Sequence, residues 1–139
     1  MRLLRNISLA ILLMAAGSQT LKAQNIKEPK GYLFGFVASF NDSTVYFTDI
    51  QEMDSIWVTK KKKMIAGKSN YSYQLRNYFA QERNLPNRTV VIVGSLNRKK
   101  IEKKYAKMKN QYIYKNKDKY DVRYIPQSDF KFNMVNLEE

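Results

Sequence analysis

The stretch Thr89–Lys109, "TVVIVGSLNRKKIEKKYAKMK", joins an apolar run to a basic helical pattern, and its reading sets the fold. Thr89–Ser95 is apolar without alternation up to a Gly-Ser pair, the pattern of a central strand buried on both faces. Asn97 suits the N-cap position, because its side-chain oxygen can accept a free helical N–H. Beyond it Ile101, Tyr105, Met108 and Tyr112 recur at helical spacing, a narrow stripe in a segment otherwise rich in lysine. That helix opens with Arg98, Lys99 and Lys100, although a helix N-terminus already carries partial positive charge. Two readings follow: a cradle for an anion, or a plain strand-to-helix turn whose bases face solvent.

Glycine content separates the possible cradles. A phosphate loop needs several glycines and a Lys-Ser or Lys-Thr pair, and a dinucleotide fingerprint also needs several glycines. Gly94 stands alone here, so neither nucleotide reading holds. A simpler site remains, in which Ser95, Asn97 and the first helical N–H groups hold an anionic group and Arg98 and Lys99 supply charge. The run Lys60, Lys61, Lys62 and Lys63 is a second candidate for an anionic surface, set against the ordinary role of a solvated loop.

Working outward, Gly31–Phe40 ("GYLFGFVASF") and Thr44–Ile50 ("TVYFTDI") are β-branched and aromatic, joined by the turn formers "NDS". They predict an antiparallel hairpin. Met53–Val58 extends its second strand or begins a third. Thr59–Asn70 has no periodicity and reads as a lysine-rich loop. Tyr71, Leu75, Tyr78 and Phe79 share one helical face, with Asn70 as N-cap and Asn84 and Pro86 marking the end. Tyr120–Ile125 alternates as a strand before Pro126, and Asp129–Val135 reads as a last short strand. The order β-β-α-β-α-β predicts an α+β fold: a two-layer sandwich with a mixed sheet and both helices on one face.

The first residues, "MRLLRNISLAILLMAAGSQTLKAQ", place Arg2 and Arg5 before the apolar core Ile7–Ala16 and then small residues. That is the pattern of a secretory signal peptide over 1–23, cleaved after Ala23 or Gly17. The apolar run is shorter than the roughly 20 residues of a spanning helix. Residues 24–139 suit one small domain, and no further apolar segment suggests a membrane span in the mature chain. Removing Arg2, Arg5 and Lys22 takes the net charge from +13 to +10. The chain has no cysteine and no histidine. Disulfides, Cys- or His-based nucleophilic catalysis and zinc sites of the usual N/S type are thereby excluded.

Other constellations carry competing readings. Asp49, Glu52 and Asp54 could serve carboxylate hydrolysis or calcium binding, or stand as solvated strand-end acids. Strand alternation points Asp49 and Glu52 to opposite faces. Tyr105, Tyr112, Tyr114, Tyr120 and Tyr124 interleave with lysine, as in stacking platforms for single-stranded nucleic acid or glycan, or as core tyrosines.

Two resemblances accompany these residues. With Val91, Val93, Gly94 and Ser95 before a Lys-rich helix, the stretch resembles the first half of a sporulation-related repeat (SPOR) domain, which implies binding to peptidoglycan glycan stripped of its peptides. Leu96 replaces the usual aromatic and the second half is missing. The Ala-Gln leader junction and the Lys, Asn and Tyr content are similar to small exported proteins of Bacteroides-type bacteria, which implies a compartment. In such bacteria Asp42-Ser43-Thr44 and Asp54-Ser55-Ile56 would fit an O-glycosylation motif. The expectation is an exported binding or accessory protein of the periplasm or cell envelope. It is not read as an enzyme and needs no cofactor or metal. Its anionic partner would be a lipid headgroup, an acidic glycan or an acidic protein. A peptidoglycan-associated module and a carboxylate hydrolase are the alternatives. Export argues against cytoplasmic nucleic acid.

Overall fold

A computed structural model describes residues 25–137. The leader expected over 1–23 lies outside the described residues. Among the described residues no helix is long and apolar enough to cross a membrane.

The chain runs β1 (Asn25–Glu28), β2 (Gly31–Ala38), β3 (Thr44–Thr48), β4 (Gln51–Met53), β5 (Ile56–Thr59), α1 (Lys68–Gln81), β6 (Thr89–Ser95), α2 (Arg98–Asn110) and β7 (Asp121–Ile125). A π-helical turn, Gln111–Lys115, extends α2. The α+β class and the general order are as expected from sequence. Short strands are additional: β1, read as a polar lead, pairs antiparallel with β5 in a small sheet of its own, and β4 is a separate strand.

The main sheet is built on β2. On one side it pairs antiparallel with β3 and β4, and on the other with β6 along Tyr32–Ala38. β7 joins β3 in parallel. The lateral order is therefore β6, β2, then β3 continued by β4, and β7.

Both faces of β2 are buried. Tyr32, Phe34 and Phe36 pack with Ile101, Tyr105 and Tyr112 from the α2 segment, with Phe34–Tyr105 and Phe36–Tyr112 ring centroids each 4.8 Å apart. Leu33 and Val37 face Tyr71, Leu75 and Phe79 of α1. Gly35 lies under Leu75, where a Cβ would clash with that side chain. Each fully buried large apolar side chain contributes about 1.5–3 kcal/mol.

The expected two layers, with both helices on one face, are corrected to three. The chain passes over β2 through α1 to reach β6, then returns over β2 and β3 through α2 to reach β7. The packing places the helices on opposite faces, with α1 carrying Tyr71, Leu75 and Phe79 onto Leu33 and Val37 and α2 carrying Ile101 and Tyr105 onto Phe34 and Phe36, as two right-handed crossovers moving in opposite directions require. The expected central position of Thr89–Ser95 is also corrected. Among the described residues β6 pairs only with β2, and Val91 is 44% exposed. The doubly buried strand is β2, whose alternation of aromatic with aliphatic residues or glycine is apolar on both faces.

Helix α1 begins earlier than the sequence suggested. Gly67, with φ +77°, is the N-cap in place of Asn70. The lysine-rich loop shortens accordingly, because Thr59 ends β5, Ile65 bridges Val58 and Lys68 opens the helix. At the other end Asn84 adopts φ +56°, and the Leu85 N–H bonds the Phe79 carbonyl at 2.8 Å, closing the helix as expected.

The last expected strand, Asp129–Val135, does not form. Two glutamines hold this segment instead. Gln51 Nε2 donates to the Phe130 carbonyl and Gln51 Oε1 accepts the Phe132 N–H, both at 2.8 Å and both buried. Gln74 repeats the pattern at Asn133, at 2.9 and 2.8 Å, in an exposed setting. The side-chain amides take the place of a neighbouring strand. The segment then buries Phe130, Phe132 and Val135 on the α1 side of the sheet.

Candidate functional site: a lysine-lined cleft

Gly94 and Ser95 end β6 beside a cleft of about 190 Å³. Lys62 and Lys63 enter it from the turn after β5, Lys68 from the first turn of α1, and Lys100 and Lys104 from α2. Lys100 and Lys104 share a helix face by their spacing of four. The turn that delivers Lys63 is tight. Lys63 adopts φ +54°, its N–H bonds the Thr59 carbonyl at 3.0 Å, and Thr59 N–H bonds the Met64 carbonyl at 2.8 Å.

Among the described residues no acidic side chain lines the cleft. Lys63 Nζ pairs with Glu28 at 3.3 Å. Among the described residues no salt bridge engages Lys62, Lys68, Lys100 or Lys104. Convergent like charges repel, and a bound anion would relieve that repulsion. The cleft is smaller than the roughly 300–1,000 Å³ of pockets for drug-sized ligands, so it suits a single phosphate, carboxylate or sulfate group.

The structure divides the residues chosen from sequence. Lys62, Lys63 and Ser95 meet at this cleft; Lys60, Lys61, Asn97, Arg98 and Lys99 do not line it. Asn97 is the N-cap as expected, its side chain accepting the Lys100 N–H at 3.1 Å. Ser95 Oγ accepts the Asn97 N–H at 3.1 Å, so both polar side chains serve the turn. Arg98 is committed elsewhere: its Nε lies 3.0 Å from Glu102, and its guanidinium stands 5.9 Å from the Tyr32 ring centroid. The Glu102 carboxylate pushes the Arg98 pKa further up. Lys68, Lys100 and Lys104 were missed. Misplacing the N-cap hid Lys68, and the four-residue spacing of Lys100 and Lys104 was the available signal for the other two.

Gly94 is not part of a phosphate loop. A Cβ there would clash with Ile65 and come within 2.8 Å of Leu33 Cδ2. Close packing of Ile65 over the sheet explains the glycine.

The remaining constellations separate too. Glu52 and Asp54 line a shallow groove of about 530 Å³ with Lys131 and Asn133. Glu52 is exposed there and ion-paired to Lys30 at 3.4 Å. Asp49 does not line that groove but accepts the N–H of Gln127, which does, at 3.0 Å. Both Glu52 and Asp54 are exposed, unlike the enclosed general acid of a glycosidase. Among the described residues no group of three or more acids could hold a metal ion.

The tyrosines split between core and surface. Tyr105 donates its hydroxyl to the Thr48 carbonyl at 2.8 Å, and burial, with the charge of Asp49, pushes its phenol up to about 12. Tyr112 packs on Phe36 and Phe47. Tyr114, Tyr120 and Tyr124 are exposed. Asp42 accepts the Thr44 N–H at 3.0 Å and pairs with the buried Arg88 at 2.6 Å, a structural role for the Asp42-Ser43-Thr44 turn.

No family model, no curated protein and no solved structure matches this chain. Its function therefore rests on the chemistry of its own residues.

Proposed function

We propose that this is an exported, non-enzymatic accessory protein of the cell envelope that holds anionic groups of its partners at the lysine cleft. The convergence of Lys62, Lys63, Lys68, Lys100 and Lys104 beside Ser95, with Lys63 alone of the five in a salt bridge among the described residues, carries the proposal. The leader-like first residues and the cysteine-free composition support the compartment. A net charge of +13 over the whole chain supports the sign of the partner. Phosphate of a lipid headgroup and carboxylate of an acidic glycan or protein all fit the cleft's chemistry.

The experiment is co-sedimentation with vesicles rich in phosphatidylglycerol and retention on heparin, each across a salt series. Screening over a Debye length of about 8 Å at physiological ionic strength should make retention salt-sensitive. Lys100→Glu with Lys104→Glu should abolish it with no loss of fold, because both side chains are exposed. Retention by neither surface at low salt, or equal retention of the variant, overturns the reading. Fractionation of cells producing the full chain tests export, and recovery from the cytoplasm with residues 1–23 intact overturns it.

A further inference from the structure

The two edges of the main sheet differ. β7 carries Asp121 and Arg123 and is followed by Pro126, the kind of residues that discourage a further strand. β6, "TVVIVGS", has no charge, no proline and no bulge in its pairing with β2. Among the described residues its outer side makes no backbone hydrogen bond. Alternate residues of such a strand present their N–H and C=O outward. Exposed Val91 offers apolar surface beside them.

The lysine cleft continues this edge. Its walls come from opposite faces of the sheet: Ile65, which follows Lys62 and Lys63 and precedes Lys68 in the chain, packs on the α1 side, whereas Lys100 and Lys104 belong to α2, which covers the other face. Elements on opposite faces share a cleft with Gly94 and Ser95 by meeting where β6, the outer strand, ends. A chain laid along β6 would cover roughly 23 Å over seven residues and run its end between the lysines.

We infer that β6 accepts an extended segment of an acidic protein as an added strand, with carboxylates at one end of that segment seated in the lysine cleft. The inference rests on the anion-binding reading of the cleft and adds the partner's class and conformation. Backbone pairing supplies affinity, and the lysines fix the register and direction of the incoming strand. A second copy of this chain supplies no run of carboxylates to the lysines: the residues beside Thr89, which antiparallel β6–β6 pairing would bring towards the cleft, are Pro86, Asn87 and the buried, ion-paired Arg88.

The test uses a fluorescent peptide of alternating Thr and Val ending in three Asp. Triaspartate alone and the same peptide ending in three Lys are the controls. Anisotropy reads affinity, and amide hydrogen exchange by NMR reads strand addition. The expected result is binding at least about tenfold tighter than triaspartate, with slowed exchange of outward β6 amides and none for the Lys-ended peptide. Val91→Lys, at an exposed edge position, should weaken the peptide by about tenfold and leave triaspartate binding unchanged. Peptide binding without protection of β6 amides, or no gain over triaspartate, overturns the added strand while leaving the cleft intact. Failure of peptide and triaspartate alike overturns the inference and the cleft reading together.

Discussion

Replacing Gln51 by alanine should cost far more than replacing Gln74, although each side chain makes the same two bonds to the C-terminal segment. Gln51 is 1% exposed, and its bonds to Phe130 and Phe132 are buried. Truncation leaves a carbonyl and an N–H unpaired, at about 1–3 kcal/mol each, or about 2–6 kcal/mol together. Burial of Phe130, Phe132 and Val135 contributes about 1.5–3 kcal/mol per side chain, so the segment should stay docked and the penalty appear in full. Water can replace the exposed bonds of Gln74, and its loss should cost about 0.5–1 kcal/mol. Urea unfolding followed by far-UV circular dichroism and by Trp57 fluorescence measures both. A total stability of about 5–15 kcal/mol makes the Gln51 effect easy to resolve. Gln51→Met, which fills the space without hydrogen bonds, separates polar from packing loss and should resemble the alanine variant. Equal costs for Gln51→Ala and Gln74→Ala, or a Gln51→Met variant within about 0.5 kcal/mol of the parent, would refute the reasoning.

Further outcomes are expected. Gly94→Ala should destabilise by about 1–3 kcal/mol through overpacking against Ile65 and Leu33. Adding Ile65→Val should recover part of that loss, and purely additive effects in thermal melts would contradict the contact. The fold favours the neutral Tyr105 phenol, whose pKa rises from its ordinary 10 to about 12. Its contribution is complete below pH 10 and is lost as pH rises towards 12. Melting temperatures of Tyr105→Phe should therefore fall less steeply over that range than those of the parent. A steeper fall would reverse the sign. Tyr71 and Tyr112, also raised by burial, should leave some alkaline loss in the variant.

Local signals were the legible ones. The cap at Asn97, the stripe Ile101–Tyr105–Met108 and the closure of α1 at Asn84 depend on residues a turn apart, and each formed where the pattern put it. The Gly31–Phe40 alternation likewise gave β2 and its pairing with β3. Long-range choices were not legible. A continuous apolar run fits a central strand or an edge strand lying over two helices, and Thr89–Ser95 took the edge. The helices' faces followed from the lateral order of strands, which no single segment encodes. Gln51 finds its partners about eighty residues away, so nothing near it announced its role. The cleft has the same character. Lys62 and Lys104 are distant in sequence, and a lysine-rich chain offers no contrast by which to choose the five that converge.

An NMR titration with pyrophosphate across a salt series tests the cleft most directly. Saturable shifts confined to Gly94, Ser95 and the turns carrying Lys62, Lys63, Lys68 and Lys100 are expected, weakening as salt rises and vanishing in Lys100→Glu with Lys104→Glu. Unsaturating shifts spread over all the lysines, or an unchanged response in that variant, would contradict an anion site at the end of β6.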